Sequence, residues 1–80
     1  MSEVKVDKNI DIRGLVCPMT FVKAKLAIEI MEDGEVLEVL LDYEEASNSI
    51  PKSMKDHGHD MISNEKVSET DWKLLIRKGG

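Results

Sequence analysis

Strand-like apolar alternation in four short segments and helical spacing in two others predict an α/β (α+β) fold. The expected architecture is a two-layer sandwich, in the order β-α-β-α-β-β, with two helices on one face of a four-stranded mixed sheet. Punctuation supports the same division, because Gly14, Pro18, Gly34 and Gly58 fall at the borders between segments. Composition agrees: 80 residues that are 41% apolar and 34% charged suit one ordered unit spanning 1–80. A chain this short buries only about 60% of the surface its unfolded form exposes.

The first strand is expected over Lys5–Ile12, with Val4, Val6, Ile10 and Ile12 as apolar positions, and Gly14 breaks it. Helical spacing runs from Pro18 to about Met31. Phe21, Ala24, Ile28 and Met31 recur at i, i+3, i+7 and i+10, with Lys25, Glu29 and Glu32 opposite. Val22, Leu26, Ala27 and Ile30 widen the apolar arc, so much of this helix is expected to be covered. Asp33-Gly34 stops it, Gly34 being the residue past its end. Glu35–Leu41 reads as a strand with Leu37, Val39 and Leu41 toward the core and Val36, Glu38 and Leu40 on the other side. Within Glu44–His57 the stripe is Ala46, Ile50, Met54 and His57. Pro51 implies either a kink or a late start capped by Ser49, and Gly58 ends the helix. Met61–Ser68 and Asp71–Lys78 are the last strands, joined near Ser68-Glu69-Thr70, with Trp72, Leu74 and Ile76 toward the helices.

Net charge is −5, from 11 basic and 16 acidic residues, with one Trp, one Tyr and one Phe. Phosphate contacts and stacking platforms are both scarce, which argues against direct nucleic-acid binding. No apolar run approaches the roughly 20 residues that span a bilayer. The start, Met1-Ser2-Glu3-Val4-Lys5, lacks the basic-then-apolar order of a secretion signal. The expected compartment is the cytoplasm, with no membrane partner. A single cysteine suits a reducing compartment. His57 and His59 have no second cysteine to complete a zinc pattern, and Asp42, Glu44 and Glu45 read as a solvated face, so no metal is expected.

The one cysteine stands in Asp11-Ile12-Arg13-Gly14-Leu15-Val16-Cys17-Pro18, where a strand gives way to a helix. Proline suits the first helical position, because its missing N–H would lack an intrahelical partner anyway. With Pro18 opening the helix, Cys17 is the N-cap, where exposed N–H groups and the positive end of the helix dipole favour a thiolate. A sulfur nucleophile is the chemistry this placement suits. Gly14 reads as a turn residue with positive φ, and Asp11 as a side chain that bonds backbone N–H groups in the turn. Arg13 either solvates its strand end or helps to hold Cys17 as thiolate. Met19 is a candidate partner contact. Lys23 and Lys25 are exposed charges that, on a second reading, guide an acidic partner to this edge. The plain alternative is that Cys17 is an inert buried residue. Its place between a glycine turn and a helix-opening proline argues against that.

Asp11-x-x-Gly14-x-x-Cys17-Pro18 resembles the signature of the TusA/SirA-like sulfurtransferase family, small proteins whose Cys-Pro-x-Pro motif opens the first helix. The resemblance extends over nearly the whole chain: the element order, Ile50-Pro51 in the second helix, and Gly58-His59 after it. It implies that Cys17 takes sulfane sulfur as a persulfide from a donor protein, a cysteine desulfurase or a rhodanese-like protein. It implies further that the sulfur passes to a cysteine-bearing acceptor protein, without a cofactor. Arg13, Gly14, Pro18 and Thr20 would surround the thiolate or persulfide. In the family the sulfur goes to tRNA thiolation, molybdenum cofactor work or dissimilatory sulfur metabolism, and nothing in one sequence selects among these. Thr20 occupies the position of the second motif proline, which either softens the helix start or leaves its Oγ to bond a backbone group of the first turn. The family pattern also marks His59, whose chemistry suits a strand-capping hydrogen bond.

Two rival readings remain. The chain ends Lys78-Gly79-Gly80, and ubiquitin-like carriers are activated at a terminal Gly-Gly, although their fold opens with a hairpin and this chain opens strand-turn-helix. Alternatively, the chain is a non-catalytic interaction module in which the cysteine is incidental.

Overall fold

The computed structural model describes residues 5–16 and 19–79. Its elements are β1 (Lys8–Asp11), α1 (Met19–Glu29), β2 (Val36–Leu41), α2 (Glu44–Asp56), β3 (Asp60–Lys66) and β4 (Trp72–Arg77). The sheet order is β1-β2-β4-β3, with β1 parallel to β2 and β4 antiparallel to both its neighbours. This is the expected two-layer α+β sandwich with a mixed sheet, and its least dimension is 18 Å.

The central strand β2 sets the core. Leu37, Val39 and Leu41 are fully buried, as are Leu74 and Ile76 beside them on β4. Ala24 and Ile28 of α1 and Ala46, Ile50 and Met54 of α2 close over that face in one apolar cluster. Val36, expected on the opposite side, is buried too. Trp72 is half-buried against the cluster, with the Lys66 ammonium 5.5 Å from its ring centroid.

Several boundaries move for identifiable reasons. β1 starts at Lys8 rather than Lys5. Just before it, the Asp7 backbone N–H donates to the Val36 carbonyl while the Asp7 carboxylate accepts from the Val36 N–H, both at 2.9 Å. A side chain thus completes the pairing that another strand residue would have made. α1 ends at Glu29, and the Lys78 ammonium donates to the carbonyls of Glu29 and Met31 at 3.0 and 2.8 Å. A cation there satisfies orphan carbonyls at the negative end of the helix.

Pro51 lies inside α2, which runs unbroken from Glu44 with Tyr43 before it, so the late start at Ser49 is not what forms. The proline has no N–H to give the carbonyl of Ser47, four residues back. That carbonyl instead accepts from the Asn64 side-chain amide of β3 at 2.8 Å. At the far end, Gly58 (φ +87) lets its own N–H reach the Lys55 carbonyl and the His59 N–H reach that of Met54, a Schellman closure.

One expectation about α1 fails. Val22, Leu26 and Ile30 do not widen a covered arc; they are exposed, Ile30 by 74%. The sheet and α2 can meet only one side of the helix, and Ala24, Ala27 and Ile28 occupy it.

Candidate functional site

β1, β2 and β3 all end at one edge of the sheet and β4 begins there, so the turns that follow or precede them converge. The turn from β1 to α1 is built at this edge. Asp11 Oδ1 accepts from the Arg13 backbone N–H (3.1 Å) and from Nε (3.0 Å), and Oδ2 accepts from Nη2 at 2.8 Å. This two-pronged grip closes the turn. The other arm of the guanidinium, Nη1, reaches Asp71 just before β4 at 3.4 Å. Hydrogen bonding to Arg13 holds the Asp11 carboxyl below the usual carboxylate range, and Asp11 raises the already high pKa of the guanidinium.

Gly14 follows with φ +88, the left-handed region in which glycine has no Cβ penalty. Its N–H donates to the Asp42 carboxylate at 3.0 Å, so the loop after β2 fastens the same turn. Leu15 then packs against the core, whereas Val16 is 57% exposed. The Thr20 N–H donates to the Val16 carbonyl at 3.2 Å. Cys17 and Pro18 themselves, expected as N-cap nucleophile and first helical residue, lie outside the described residues.

The other expected site residues divide. Asp11, Arg13 and Gly14 come together in one turn, and Asp11 accepts the backbone N–H bond assigned to it. Arg13 does more than solvate a strand end, since its fork is shared between two carboxylates. Met19 and Lys23 lie exposed on α1. Thr20 is buried at 1% exposure, and its hydroxyl has no hydrogen-bond partner among the described residues. The expected bond from that hydroxyl to a backbone group of the first turn is therefore not found there.

Asp42 and Asp71 were missed as anchors of the turn. The available signal was positional: one directly follows β2, the neighbour of β1 in the sheet, and the other directly precedes β4, the strand beyond β2. Among the described residues, no three His, Cys, Asp or Glu side chains are grouped to hold a metal ion. Among the same residues, no helix is long and apolar enough to cross a membrane.

At the opposite end of the sheet His59 makes a structural bond, its Nδ1 accepting from the Gly79 N–H at 3.0 Å. Gly79 lies so close to Gly58 that a side chain there would strike the Gly58 carbonyl. Gly79 is thus docked on the body of the fold, unlike the free tail a Gly-Gly carrier requires; Gly80 lies outside the described residues. The open groove beside it, about 570 Å³, is lined by Lys55, Gly58, His59, Asp60, Met61, Ile62 and Arg77.

Known proteins resemble this chain along most of its length. Residues 8–78 match the model of the family described as sulfurtransferase TusA. Relatives bearing the name "Putative sulfur carrier protein" occur in Archaeoglobus fulgidus (43% identity, covering 95% of this chain and 86% of the relative) and in Thermotoga maritima (39%, covering 96% and 98%). Among solved structures, a SirA-like protein of Desulfitobacterium hafniense superposes with a TM-score of 0.78 at 27% identity, covering 91% of this chain and 99% of that one.

Proposed function

The chain belongs to the sulfurtransferase TusA family, and from that premise we propose that it relays sulfane sulfur as a persulfide on Cys17. The family and its sulfur-carrier relatives support a carrier role. The observation that bears most on the residue is the turn before it. Asp11, Arg13, Gly14 and Asp42 fix the chain that leads to Cys17, and the residues on either side of the Cys17-Pro18 pair, Val16 and Met19, are 57% and 44% exposed. A rigid approach that ends in exposed neighbours suits a thiol that must meet other proteins.

The chemistry is thiol–disulfide exchange. The Cys17 thiolate attacks the terminal sulfur of the donor's persulfide. The donor's S–S bond breaks, an S–S bond forms at Cys17, and the donor leaves as thiolate. Sulfur changes hands without net oxidation. In the second transfer an acceptor thiolate attacks the outer sulfur on Cys17 and returns it to the thiolate. The donor is a cysteine desulfurase or rhodanese-like protein, the acceptor a cysteine-bearing protein of the cytoplasm, and the single unit 1–80 needs no cofactor. Any part in tRNA thiolation runs through those proteins, because the carboxylates of the edge repel phosphate.

The test is transfer of ³⁵S from labelled cysteine through a cysteine desulfurase. Label is expected on the wild-type chain, released by dithiothreitol and absent from Cys17→Ser. Equal labelling of both chains would defeat the reading, and so would label on neither when a rhodanese with labelled thiosulfate and glutathione persulfide also fail.

A further inference from the structure

The outward side of α1 is apolar where a surface helix ordinarily carries charge. Met19, Val22, Leu26 and Ile30 recur at i, i+3, i+7 and i+11 and are 44%, 38%, 57% and 74% exposed. Val16 carries the stripe back to the β1–α1 turn. The opposite side of the same helix supplies Thr20, Ala24, Ala27 and Ile28 to the interior, so α1 has two apolar sides and only one is used by the fold. Exposed apolar patches of this kind mark interaction surfaces.

The stripe begins beside the Cys17-Pro18 pair, at an edge of one-sided charge. Asp11, Asp42, Glu69 and Asp71 at the strand ends and turns there, with Glu44 and Glu45 at the start of α2, stand against Arg13 and Lys66. The Arg13 guanidinium is already held by Asp11 and Asp71.

We propose that the α1 stripe and this acidic edge together dock the protein that loads Cys17 with sulfur, and that this donor presents an apolar patch bordered by lysines and arginines. The proposal rests on the relay reading above and specifies its partner. To attack a persulfide Cys17 must shed its proton, and carboxylates nearby disfavour a further negative charge. Cations brought by the donor offset them. Loading turns a neutral Cys17 thiol into an anion. Unloading starts from a persulfide, which is more acidic than a thiol and already anionic, and leaves a thiolate, so it adds no charge there; the basic border therefore belongs to the donor. A second copy of this chain fits poorly, because it would bring the same acidic edge to the contact.

The experiment compares wild type with Leu26→Lys, a substitution on the outward side that empties no core site. Each is loaded by a cysteine desulfurase with cysteine, by a rhodanese with thiosulfate, and by glutathione persulfide, which needs no docking. The expected result is a rise of at least tenfold in the chain concentration for half-maximal loading by whichever enzyme loads wild type. Loading by glutathione persulfide stays unchanged, and enzymatic loading of wild type weakens as salt is raised. Equal enzymatic loading of the two chains would overturn the docking surface and leave the relay standing. So would loading of wild type by glutathione persulfide but by neither enzyme. Wild type loaded by none of the three would remove the relay and this proposal with it. A wild-type dimer in sedimentation velocity that Leu26→Lys dissociates would assign the stripe to a second copy and overturn the proposal.

Discussion

Asn64 is expected to hold α2 against β3 through a single bond that Pro51 makes necessary. Ser47 is 2% exposed, and Pro51 denies its carbonyl the helical N–H it would otherwise receive. The Asn64 amide takes that place at 2.8 Å. Removing the donor in Asn64→Ala strands a buried carbonyl, which costs about 1–3 kcal/mol. Asn64 itself is exposed, so water can reach the carbonyl from that side, and the lower half of the range, about 1–2 kcal/mol, is expected. For a domain of this size that corresponds to a fall in Tm of about 4–8 °C for each kcal/mol. The assay is urea unfolding, with a lower midpoint at unchanged m. Pro51→Ala restores a backbone N–H to the Ser47 carbonyl, so Asn64→Ala should cost clearly less in that background, a coupling of about 1 kcal/mol in the double-mutant cycle. The reasoning is refuted if Asn64→Ala leaves stability unchanged, or costs the same with and without Pro51.

Other substitutions probe separate parts of the account. Thr20→Val removes a buried hydroxyl that has no partner among the described residues, and urea unfolding should show a gain of about 1 kcal/mol; a loss would mean that the hydroxyl is bonded. Gly14→Ala meets no atom within 4 Å, so its cost is conformational, about 1–2 kcal/mol at φ +88, with Gly14→Asn costing less; calorimetry that ranks the two the other way would contradict this. Burial, with Lys78 and then His57, holds the folded-state pKa of His59 below its ordinary 6.5. The unfolded chain then binds the proton more readily, so the contribution of His59 is complete above pH 6.5 and declines as pH falls from there toward its folded value. Urea midpoints of wild type should drop over that interval relative to His59→Gln, and a relative rise would reverse the sign of the argument.

Much of the fold was legible because local signals agreed. Alternation fixed which residues of β2 and β4 face the helices, and glycines at 14, 34 and 58 stand where the chain needs positive φ. What escaped depends on partners far away in sequence. The helical periodicity of Pro18–Met31 marked its buried stripe, Ala24, Ile28 and Met31, but not how far cover extends around the helix, and the adjoining arc with Leu26 and Ile30 was left outside. Pro51 announced a missing bond, yet the remedy sits on β3 at Asn64. The same holds at the candidate site. Asp11, Gly14 and the Cys17-Pro18 pair could be read from one short segment, whereas the hold on Arg13 by Asp71 and on Gly14 by Asp42 appears only once β1, β2 and β4 lie side by side.

The central claim is that Cys17 itself bears the sulfur. It is tested most directly by incubating the chain with a cysteine desulfurase and cysteine, capping with iodoacetamide without reductant, and mapping the tryptic peptide Gly14–Lys23, which contains the one cysteine. The account predicts that this peptide carries one additional sulfur atom on Cys17, lost on treatment with dithiothreitol. A fully loaded desulfurase that leaves Cys17 as a simple alkylated thiol, with the same outcome from a rhodanese with thiosulfate and from glutathione persulfide, would contradict it.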